Sequence, residues 1–481
     1  MDINNMPLGQ EPEKKKHKGR DTVLTILFLL SLIGVGFVAG YFTTKITRTA
    51  QSADSKLNEI YQYLDKYWLY ADDYEDLKTE VYNNAYYGMT SFEDDPYTSF
   101  MSVSDSEDFS SSLNKQQYGV GVGYHYINNT FIIDCVYKDS GAENAGIQKG
   151  DILISVNGED VSGLTSDELK EKILGVEGTY VNIGVLRNDE ELSFDVERKS
   201  YNSSAYAYLQ DDTVILTISS FGDDTPSLIA SYLQNYTDKE KLVIDLRNNP
   251  GGYLGSLQSL TGLFIGNNVL CMQTENKDGK ITKYYSQTNV TYDNFNDIVI
   301  MINGNTASAA EVFTICLKEC LDYVTVIGET SYGKGVMQTT YRMSDGDYIK
   351  ITTAKWYSPS GVSIHKEGIE PDIEVYQDDV FSVTFYEMEE NENIEIDTVS
   401  IYTECVQLGL KFLGYEIDRT DGYMSSNSLN TIKQYQIDNG LAITDSLNYE
   451  TYNSLFNKVY YTYYSDSTKD LVLNKALELV K

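Results

Sequence analysis

The sequence predicts a multidomain chain of mixed α/β and α+β class. It comprises an N-terminal transmembrane helix, a helical segment, a β-rich module, an α/β core and a small helical C-terminal module. Three observations predict this order. An uncharged run extends from Thr22 to Phe42, and short alternating strands with glycine punctuation fill about residues 105–200. Strands then alternate with helical patterns over residues 201–378, which favours a mostly parallel sheet. A chain of 481 residues also exceeds what one hydrophobic core supports.

The N-terminal segment has the charge pattern of a membrane anchor. Five basic residues, Lys14, Lys15, Lys16, Lys18 and Arg20, precede the run from Thr22 to Phe42. Its 21 residues, at 1.5 Å each, match a bilayer core of about 30 Å. A cleaved secretory signal normally has only about 7–15 apolar residues. We therefore expect a retained single-pass anchor in the cell membrane, with residues 1–21 cytoplasmic and the rest of the chain outside.

The region 51–104 is predicted to be helical. Apolar residues recur at helical spacing from Ala53 to Tyr70 and again from Leu77 to Met89. The turn Asp95-Pro96-Tyr97 then ends the pattern.

A glycine loop opens the β module at residues 105–200. The loop is Tyr118-Gly119-Val120-Gly121-Val122. It is not a dinucleotide fingerprint, because Tyr124 occupies the position of the third glycine. Such a loop can offer backbone N–H groups to a carboxylate, while the following strand edge pairs with an extended peptide. The pattern AGIxxGDILxxVNG from Ala145 and a helix at Ser166–Leu174 complete a resemblance to a PDZ domain.

Arg187, near the last strands of this module, has two interpretations: a switch contact or an ordinary surface charge.

Glycine and apolar patterns in the core predict strands Val214–Ile218, Leu242–Leu246, Ile298–Ile302 and Val324–Ile327, and helices Thr225–Tyr236, Leu254–Phe264 and Ala309–Leu321.

The C-terminal part is predicted to be a small helical module after an acidic linker at residues 379–395. Residues 396–460 resemble the peptidoglycan-binding domain of bacterial wall enzymes, through elements such as Leu413-Gly414-Tyr415 and Gly440-Leu441. A helical dimerisation or spacer module is the alternative. Residues 461–481 are predicted to form one more helix.

Three short segments carry the residues suited to chemistry. They are Asp245–Gly252, Asn303–Glu311 and Gly328–Gln338. Ser308 stands at a predicted strand-to-helix turn, where helix N–H groups could stabilise an oxyanion. A serine nucleophile needs a base, and only His17, His125 and His365 could supply an imidazole. His17 precedes the membrane span and His125 lies in the β module, so His365 alone is a plausible imidazole.

Lys334 is the stronger candidate for the base. At its ordinary pKa near 10.4, roughly one lysine in a few thousand carries a free amine at pH 7, but burial lowers that pKa by several units. Gln338 could hold the amine by a hydrogen bond. Gly328–Lys334 also fits the start of a phosphate-binding loop, but Gly335 replaces the Ser or Thr that such a loop needs for Mg²⁺.

The three segments together resemble the carboxyl-terminal processing peptidases, also called tail-specific proteases. The order of the segments resembles that of the Gram-positive, membrane-anchored members over nearly all of residues 22–460. The resemblance implies Ser308 as nucleophile, Lys334 as base and Gln338 as its support. It implies an oxyanion hole from the N–H of Ala309 and one from Gly251 or Gly252. Two departures from the family pattern are Ala310, where serine is common, and a segment about one residue longer around Glu319–Tyr323.

The implied function is a serine endopeptidase that cleaves proteins recognised through their C-terminal tails by an acyl-enzyme mechanism. The PDZ-like module would bind the substrate's C-terminal carboxylate at residues 118–122 and gate the core. We expect no cofactor and no metal, and a formal net charge of −35 argues against nucleic acid. Peptidoglycan is an expected partner, and we expect a homodimer. The alternative is a catalytically silent, membrane-anchored PDZ and wall-binding scaffold.

Overall fold

The computed structural model describes residues 53–127, 130–188 and 190–480. The chain divides into two compact units, one ending at Thr90 and the other beginning at Ser91. The predicted cytoplasmic tail and membrane anchor, residues 1–42, lie outside the described residues. Within the described part, no helix combines the length and apolar character that crossing a bilayer requires.

Two helices, α1 (Ala53–Tyr67) and α2 (Leu77–Thr90), form the described part of the first unit, as the apolar spacing predicts. A short 3₁₀ turn, Ala71–Asp73, lies between them. Asp76 accepts the N–H of Thr79 at 3.1 Å and its hydroxyl at 2.7 Å. These bonds satisfy donors in the first turn of α2, so the carboxylate fixes where that helix begins.

The second unit opens with β1 (Ser99–Met101) and α3 (Val103–Asn114). Ser102 and Asp105 form a capping box, in which the N–H of Ser102 donates to Asp105 at 2.8 Å. The far end of α3 is also held, because the hydroxyl of Ser220 donates to the carbonyl of Leu113 at 2.6 Å. At the first end, the N–H of Val103 donates to Asp347 at 3.1 Å, so both ends of the helix are attached to distant parts of the same unit.

The β module is an antiparallel sheet with two small helices. Its strands and helices are β2 (Gln116–Gly119), β3 (Val122–Ile127), β4 (Thr130–Val136), α4 (Gly141–Ala145), β5 (Ile152–Val156), β6 (Glu159–Asp160), α5 (Ser166–Ile173), β7 (Tyr180–Arg187), β8 (Glu190–Glu197) and β9 (Lys199–Asn202). The sheet order is β3-β4-β5-β7-β8, while β2 pairs with β9. Strand β3 therefore lies at an edge of its sheet, beside the module's own apolar core.

The α/β core contains two sheets. Its elements are β10 (Ala205–Gln210), β11 (Thr213–Ile218), α6 (Thr225–Leu233), β12 (Lys241–Asp245), α7 (Leu254–Ile265), β13 (Leu270–Asn276), β14 (Ile281–Tyr285), β15 (Asp297–Ile302), α8 (Ala309–Cys320), β16 (Val324–Gly328), β17 (Val336–Arg342), β18 (Tyr348–Tyr357) and β19 (Ile373–Glu374). The larger sheet has the order β10-β11-β12-β15-β16-β19. Only the β10–β11 pairing is antiparallel, which confirms the predicted mostly parallel sheet.

The two faces of this sheet are covered by different parts of the chain. Successive side chains of a strand point to opposite faces. In β12, Leu242 and Ile244 join the apolar cluster that contains α6, α7 and α8, whereas Val243 joins a second cluster. The second sheet, β1-β18-β13-β14 with β17 on β18, is antiparallel and carries the segment after Lys334.

The C-terminal module has its own apolar core. Its elements are β20 (Asn393–Ile394), α9 (Ile401–Phe412), α10 (Ser426–Asp438), β21 (Leu447–Asn448), α11 (Tyr449–Ser465) and α12 (Leu471–Leu479). In the segment predicted as an acidic linker, Val380 and Met388 are buried in this core, and β20 pairs with β21.

Helix α12 leaves the module and packs on the open face of the parallel sheet. Val472, Ala476 and Val480 join the cluster that contains Val243 and Met301. The last helix is thus a structural part of the α/β core.

Candidate active site

Ser308 lies between β15 and α8, at the carboxyl end of a parallel strand. Its backbone has φ 57° and ψ −120°, a conformation that residues with a Cβ rarely adopt. Strained turns of this kind concentrate at functional sites, where they expose a side chain at the start of a helix. The Ser308 side chain is half-buried and lines a cavity of about 630 Å³.

The neighbouring segment Asp245–Gly252 supports this turn. The hydroxyl of Thr306 donates to the carbonyl of Leu246 at 2.8 Å, and the N–H of Ala307 donates to the carbonyl of Asn249 at 2.9 Å. These bonds hold the residues before Ser308 against the glycine turn. The segments Asp245–Gly252 and Asn303–Glu311 are therefore joined to each other by hydrogen bonds.

Two amide groups beside Ser308 are free to bind an oxyanion. The N–H of Gly251 donates to the side chain of Asn249 at 2.8 Å and is therefore occupied. Neither the N–H of Gly252 nor that of Ala309 donates a hydrogen bond to a described residue. Both residues line the cavity with Ser308. Of the two glycines that the sequence leaves open, Gly252 has the available amide.

Lys334 lies in the loop between β16 and β17 and lines the same cavity. Its carbonyl accepts the indole N–H of Trp356 at 2.7 Å, and its ammonium lies 4.6 Å from the ring centre of Tyr97. Burial lowers the pKa of Lys334, the positive charge of Lys350 lowers it further, and Glu311 opposes both. The environment therefore disfavours the charged form and shifts the equilibrium toward the neutral amine that a general base requires.

Glu311 connects the serine and lysine loops. Its side chain is fully buried, yet both carboxylate oxygens accept hydrogen bonds. Oε2 accepts the N–H groups of Ser308 at 2.7 Å and Lys334 at 2.9 Å. Oε1 accepts the hydroxyl of Ser331 at 2.6 Å and the N–H of Gly333 at 2.7 Å. Burial raises the pKa of Glu311, and the four hydrogen bonds act against that rise.

The sequence prediction gave Glu311 no role. The spacing Ser308-x-x-Glu311 fits the serine and glutamate positions of a capping box, which is a signal that could have identified it.

Gln338 lines the cavity but does not contact Lys334 through a hydrogen bond among the described residues. Its amide donates to the hydroxyl of Thr352 at 3.1 Å, and that hydroxyl donates to Asp95 at 2.9 Å. Asp95 also accepts the hydroxyl of Thr98 at 2.6 Å. Asp95 was predicted only as a turn residue, so its part in this chain of hydrogen bonds was missed.

The walls of the cavity are largely apolar. Leu254, Leu257 and Met272 lie on the side of the α/β core, with Trp356 from the second sheet. Helix α3 contributes Phe109, Ser112 and Leu113. Apolar walls exclude water and strengthen electrostatic interactions inside the cavity.

His365, the alternative base, lies behind the lysine loop. A Cβ added to Gly335 would come within 2.6 Å of the His365 Cβ, so the two segments are in tight contact. His365 is not among the residues that line the cavity with Ser308. Its Nδ1 is buried and has no partner among the described residues, and burial lowers its pKa. The structure thus places Lys334, and not His365, in the cavity.

No group of three or more His, Cys, Asp or Glu side chains in the described part of the chain could hold a metal ion. Four cysteines are buried and Cys320 is exposed.

Comparisons with known proteins agree with this geometry. The pattern of Peptidase family S41 matches residues 212–375, and that of the PDZ domain matches residues 132–187. The chain is 31% identical over 451 residues to Carboxy-terminal processing protease CtpB of Bacillus subtilis (strain 168), covering 91% of this chain and 92% of that protein. The chain belongs to peptidase family S41.

A second relative is the Probable CtpA-like serine protease of Staphylococcus aureus (strain COL), with 29% identity over 489 residues, 99% of this chain and 96% of that protein. The solved photosystem II D1 C-terminal processing protease aligns at 20% identity with a TM-score of 0.37, over 66% of this chain and 92% of that one. Membership of family S41 confirms the predicted enzyme class, a serine-type endopeptidase, and the PDZ domain is confirmed as well. The roles of individual residues stay predictions.

In this S41 member, buried side chains and backbone hydrogen bonds hold the predicted carboxylate-binding loop of the PDZ domain in place. Val120 and Val122 are buried in the domain core, while Tyr118 is about half exposed. The carbonyl of Val120 accepts the N–H of Ala142 at 2.8 Å, and that of Gly121 accepts the N–H of Tyr137 at 3.0 Å. The loop leads into β3, which pairs only with β4 among the described strands. An edge strand of this kind can accept a further strand.

The interpretation of Arg187 as an ordinary surface charge is wrong. Its guanidinium donates to both oxygens of Asp151, at 2.6 and 2.7 Å, and to the carbonyl of Gly146 at 2.8 Å. Asp151 is almost fully buried, so it needs a cationic partner. Arg187 therefore braces the turn before β5.

Proposed function

We propose that the protein cleaves other proteins through a Ser308–Lys334 dyad and recognises them by their C-terminal tails. The observation that carries this proposal is that both side chains line one cavity while Glu311 ties their backbones together. The lowered pKa of Lys334 supports its role as the base.

In the proposed mechanism, the neutral amine of Lys334 takes the proton of the Ser308 hydroxyl as the oxygen attacks the scissile carbonyl. The N–H groups of Ala309 and Gly252 stabilise the oxyanion, since neither has another acceptor among the described residues. Lys334 then gives the proton to the leaving amine, and an acyl-enzyme forms. Water, deprotonated by the same lysine, releases the product.

Gln338 is proposed to hold the amine of Lys334 during this cycle. In the structure its amide nitrogen bonds to Thr352, and its carbonyl oxygen is the atom that could accept from the lysine. For this contact the ammonium of Lys334 would turn from the ring of Tyr97 toward Gln338.

The PDZ domain is proposed to bind the substrate's terminal carboxylate at Tyr118–Val122 and to pair the substrate with β3. It also contacts both neighbouring parts of the chain, which supports a gating role. The N–H of Lys138 donates to the hydroxyl of Tyr232 on α6 at 2.9 Å. The ring of His125 on β3 stacks on Tyr464 of α11 at 3.3 Å between centres.

We further propose a single-pass anchor at residues 22–42 with the catalytic part outside the cell membrane. The support is the uncharged run after a basic segment. A peptidoglycan-binding role for residues 396–460 and a homodimer are proposals of the same kind, based on the resemblance of the sequence.

The test is digestion of casein and of a peptide library by the purified protein and by Ser308→Ala and Lys334→Ala. We expect both variants to lose turnover and to remain folded. Ser227→Ala and Lys277→Ala, at exposed positions, are the matched controls. Retained turnover in either dyad variant would reject the mechanism. Peptide binding without any cleavage in the unmodified protein would favour the silent scaffold.

Recognition of the tail is tested with paired substrates that differ only in a free or amidated C-terminus. Amidation removes the charge that the loop at residues 118–122 would bind, so we expect slower cleavage. Equal rates for the two substrates would contradict this part of the proposal.

A further inference from the structure

A second lysine lines the catalytic cavity. Lys350 lies on β18, opposite Thr340 of β17, and both residues line the cavity with Ser308 and Lys334. Its ammonium lies 4.7 Å from the ring centre of Phe109 on α3. Within the part of the chain that the structure describes, no carboxylate forms an ion pair with it.

Two cations in one largely apolar cavity repel each other more strongly than they would in bulk water, because apolar walls screen charge poorly. The repulsion is relieved when one of the two ammonium groups loses its proton. Burial alone lowers the pKa of Lys350, whereas burial and the charge of Lys350 together lower the pKa of Lys334. The charge of Lys350 thus acts against the charged form of Lys334 in the cavity that the two side chains share.

The other groups that face Lys334 do not cancel this effect. Among the residues that the structure describes, Glu311 of α8 is the anion that raises the pKa of Lys334, and its oxygens are shared among four hydrogen bonds. Tyr97 presents its ring, and the pKa of Tyr97 is raised to about 12, so it stays neutral. Its hydroxyl contacts that of Tyr332. Asp95, on the same segment as Tyr97, is bound by hydroxyl groups of threonine.

We propose that Lys350 is a positioning residue for the catalytic base: its positive charge in the cavity favours the neutral amine of Lys334, the form that can take the proton of Ser308. The ring of Phe109 supports this role, since an aromatic face stabilises the cationic form of Lys350. The inference rests on the proposed function and adds to it a reason why a lysine can act as the base.

The first test is the pH dependence of kcat/KM in Lys350→Met and Lys350→Arg, with a peptide substrate that lacks acidic residues. Methionine keeps an unbranched stem against Phe109 but removes the charge, so the acidic limb should move to higher pH. Activity at neutral pH should then fall several-fold, while the alkaline plateau remains. Arginine keeps the charge and should keep the acidic limb near its original position. Lys283→Met, at an exposed position of β14, is the matched control.

An unmoved acidic limb in Lys350→Met would overturn the inference, and so would an equal loss of activity at every pH. A third result would overturn it in favour of substrate recognition. In that case the variant would raise KM only for substrates with an acidic side chain, without a change in the acidic limb.

The second test does not depend on proteolysis. Acetic anhydride acetylates only the free amine, so labelling of Lys334 at a series of pH values, read by mass spectrometry, gives its protonation directly. In the Ser308→Ala background, addition of Lys350→Met should move labelling of Lys334 to higher pH. Labelling that does not move would refute the inference. A moved labelling curve, together with an absence of proteolytic activity in the protein that keeps Ser308, would uphold the inference and reject the proposed function.

Discussion

The backbone N–H groups of Ser308 and Lys334 share one acceptor, the Oε2 oxygen of Glu311, at 2.7 and 2.9 Å. Because a carboxylate is rigid and this one is fully buried, the two loops cannot move apart without breaking a charge-assisted hydrogen bond. The relative position of the candidate nucleophile and base is thus set by a third residue.

Glu311→Gln tests this coupling. The substitution replaces one acceptor oxygen with an NH₂ group, so some of the four donors lose their partner. We expect unfolding stability to fall by about 2–4 kcal/mol and kcat/KM to fall about a hundredfold, since small misplacements are costly. Thermal unfolding and peptide hydrolysis measure the two effects. Glu240→Gln, at an exposed position, should change neither. Unchanged activity in Glu311→Gln would contradict the coupling.

Gly251→Ala tests the close contact between the glycine turn and the nucleophile. An added Cβ would lie 2.7 Å from the Ala309 nitrogen and 2.8 Å from the Ala307 oxygen, at a residue with φ 95°. The backbone around the added Cβ must shift to relieve these contacts. We therefore expect a loss of stability of about 1–3 kcal/mol and a loss of activity. Gly255→Ala in α7 meets no atom within 4 Å and should stabilise the helix by about 0.5–1 kcal/mol. Equal effects of the two variants would contradict the argument.

Lys334→Met tests how the buried lysine makes the stability of the folded protein depend on pH. Burial lowers the pKa of Lys334 in the folded protein below the ordinary value of 10.5. Between those two values the unfolded chain binds more protons, so the lysine's contribution to stability rises with pH in that window. The variant should therefore be more stable than the unmodified protein below the window, and the advantage should fade as the pH approaches 10.5. Urea unfolding over a pH series measures this. An advantage that is constant with pH would contradict the prediction.

Asp470→Asn tests the attachment of α12. Two nitrogens of Arg247 donate to Asp470 at 2.9 Å, and Arg247 also bonds to Asp245. Removing one anion leaves a largely buried guanidinium with one carboxylate in place of two, so we expect a loss of about 3 kcal/mol. Thermal unfolding measures the loss. Asp278→Asn, at an exposed turn, is the control. Equal melting temperatures would show that the ion pair does not hold the helix.

Much of the α/β core could be predicted from the sequence. The predicted strand Ile298–Ile302 and helix Ala309–Leu321 agree with β15 and α8 to within a residue. Continuous apolar runs and helical spacing are local signals, and the glycine-rich motifs mark the turns between them. These signals also located Ser308 and Lys334, which the structure places in one cavity.

What the sequence did not predict depends on contacts between distant residues. Lys350 enters the cavity through the pairing of β17 with β18, and Phe109 enters from α3, the helix that precedes β2. Nothing in the local pattern around either residue indicates chemistry. The hydrogen bond of Asp95 with Thr352 joins residues 257 positions apart. No periodicity can reveal contacts of that kind.

Helix α12 has a consequence for biosynthesis. The strand β19 completes the parallel sheet at Glu374, and the helix that covers the sheet's second face begins only at Leu471. At ordinary translation rates, roughly 5–20 s separate the two. During that time the apolar side chains on this face, Val243, Val299 and Met301, are not yet packed against α12. The nascent enzyme therefore exposes an apolar surface that a chaperone could bind. The protease fold is thereby completed late, after the whole C-terminal module has been made.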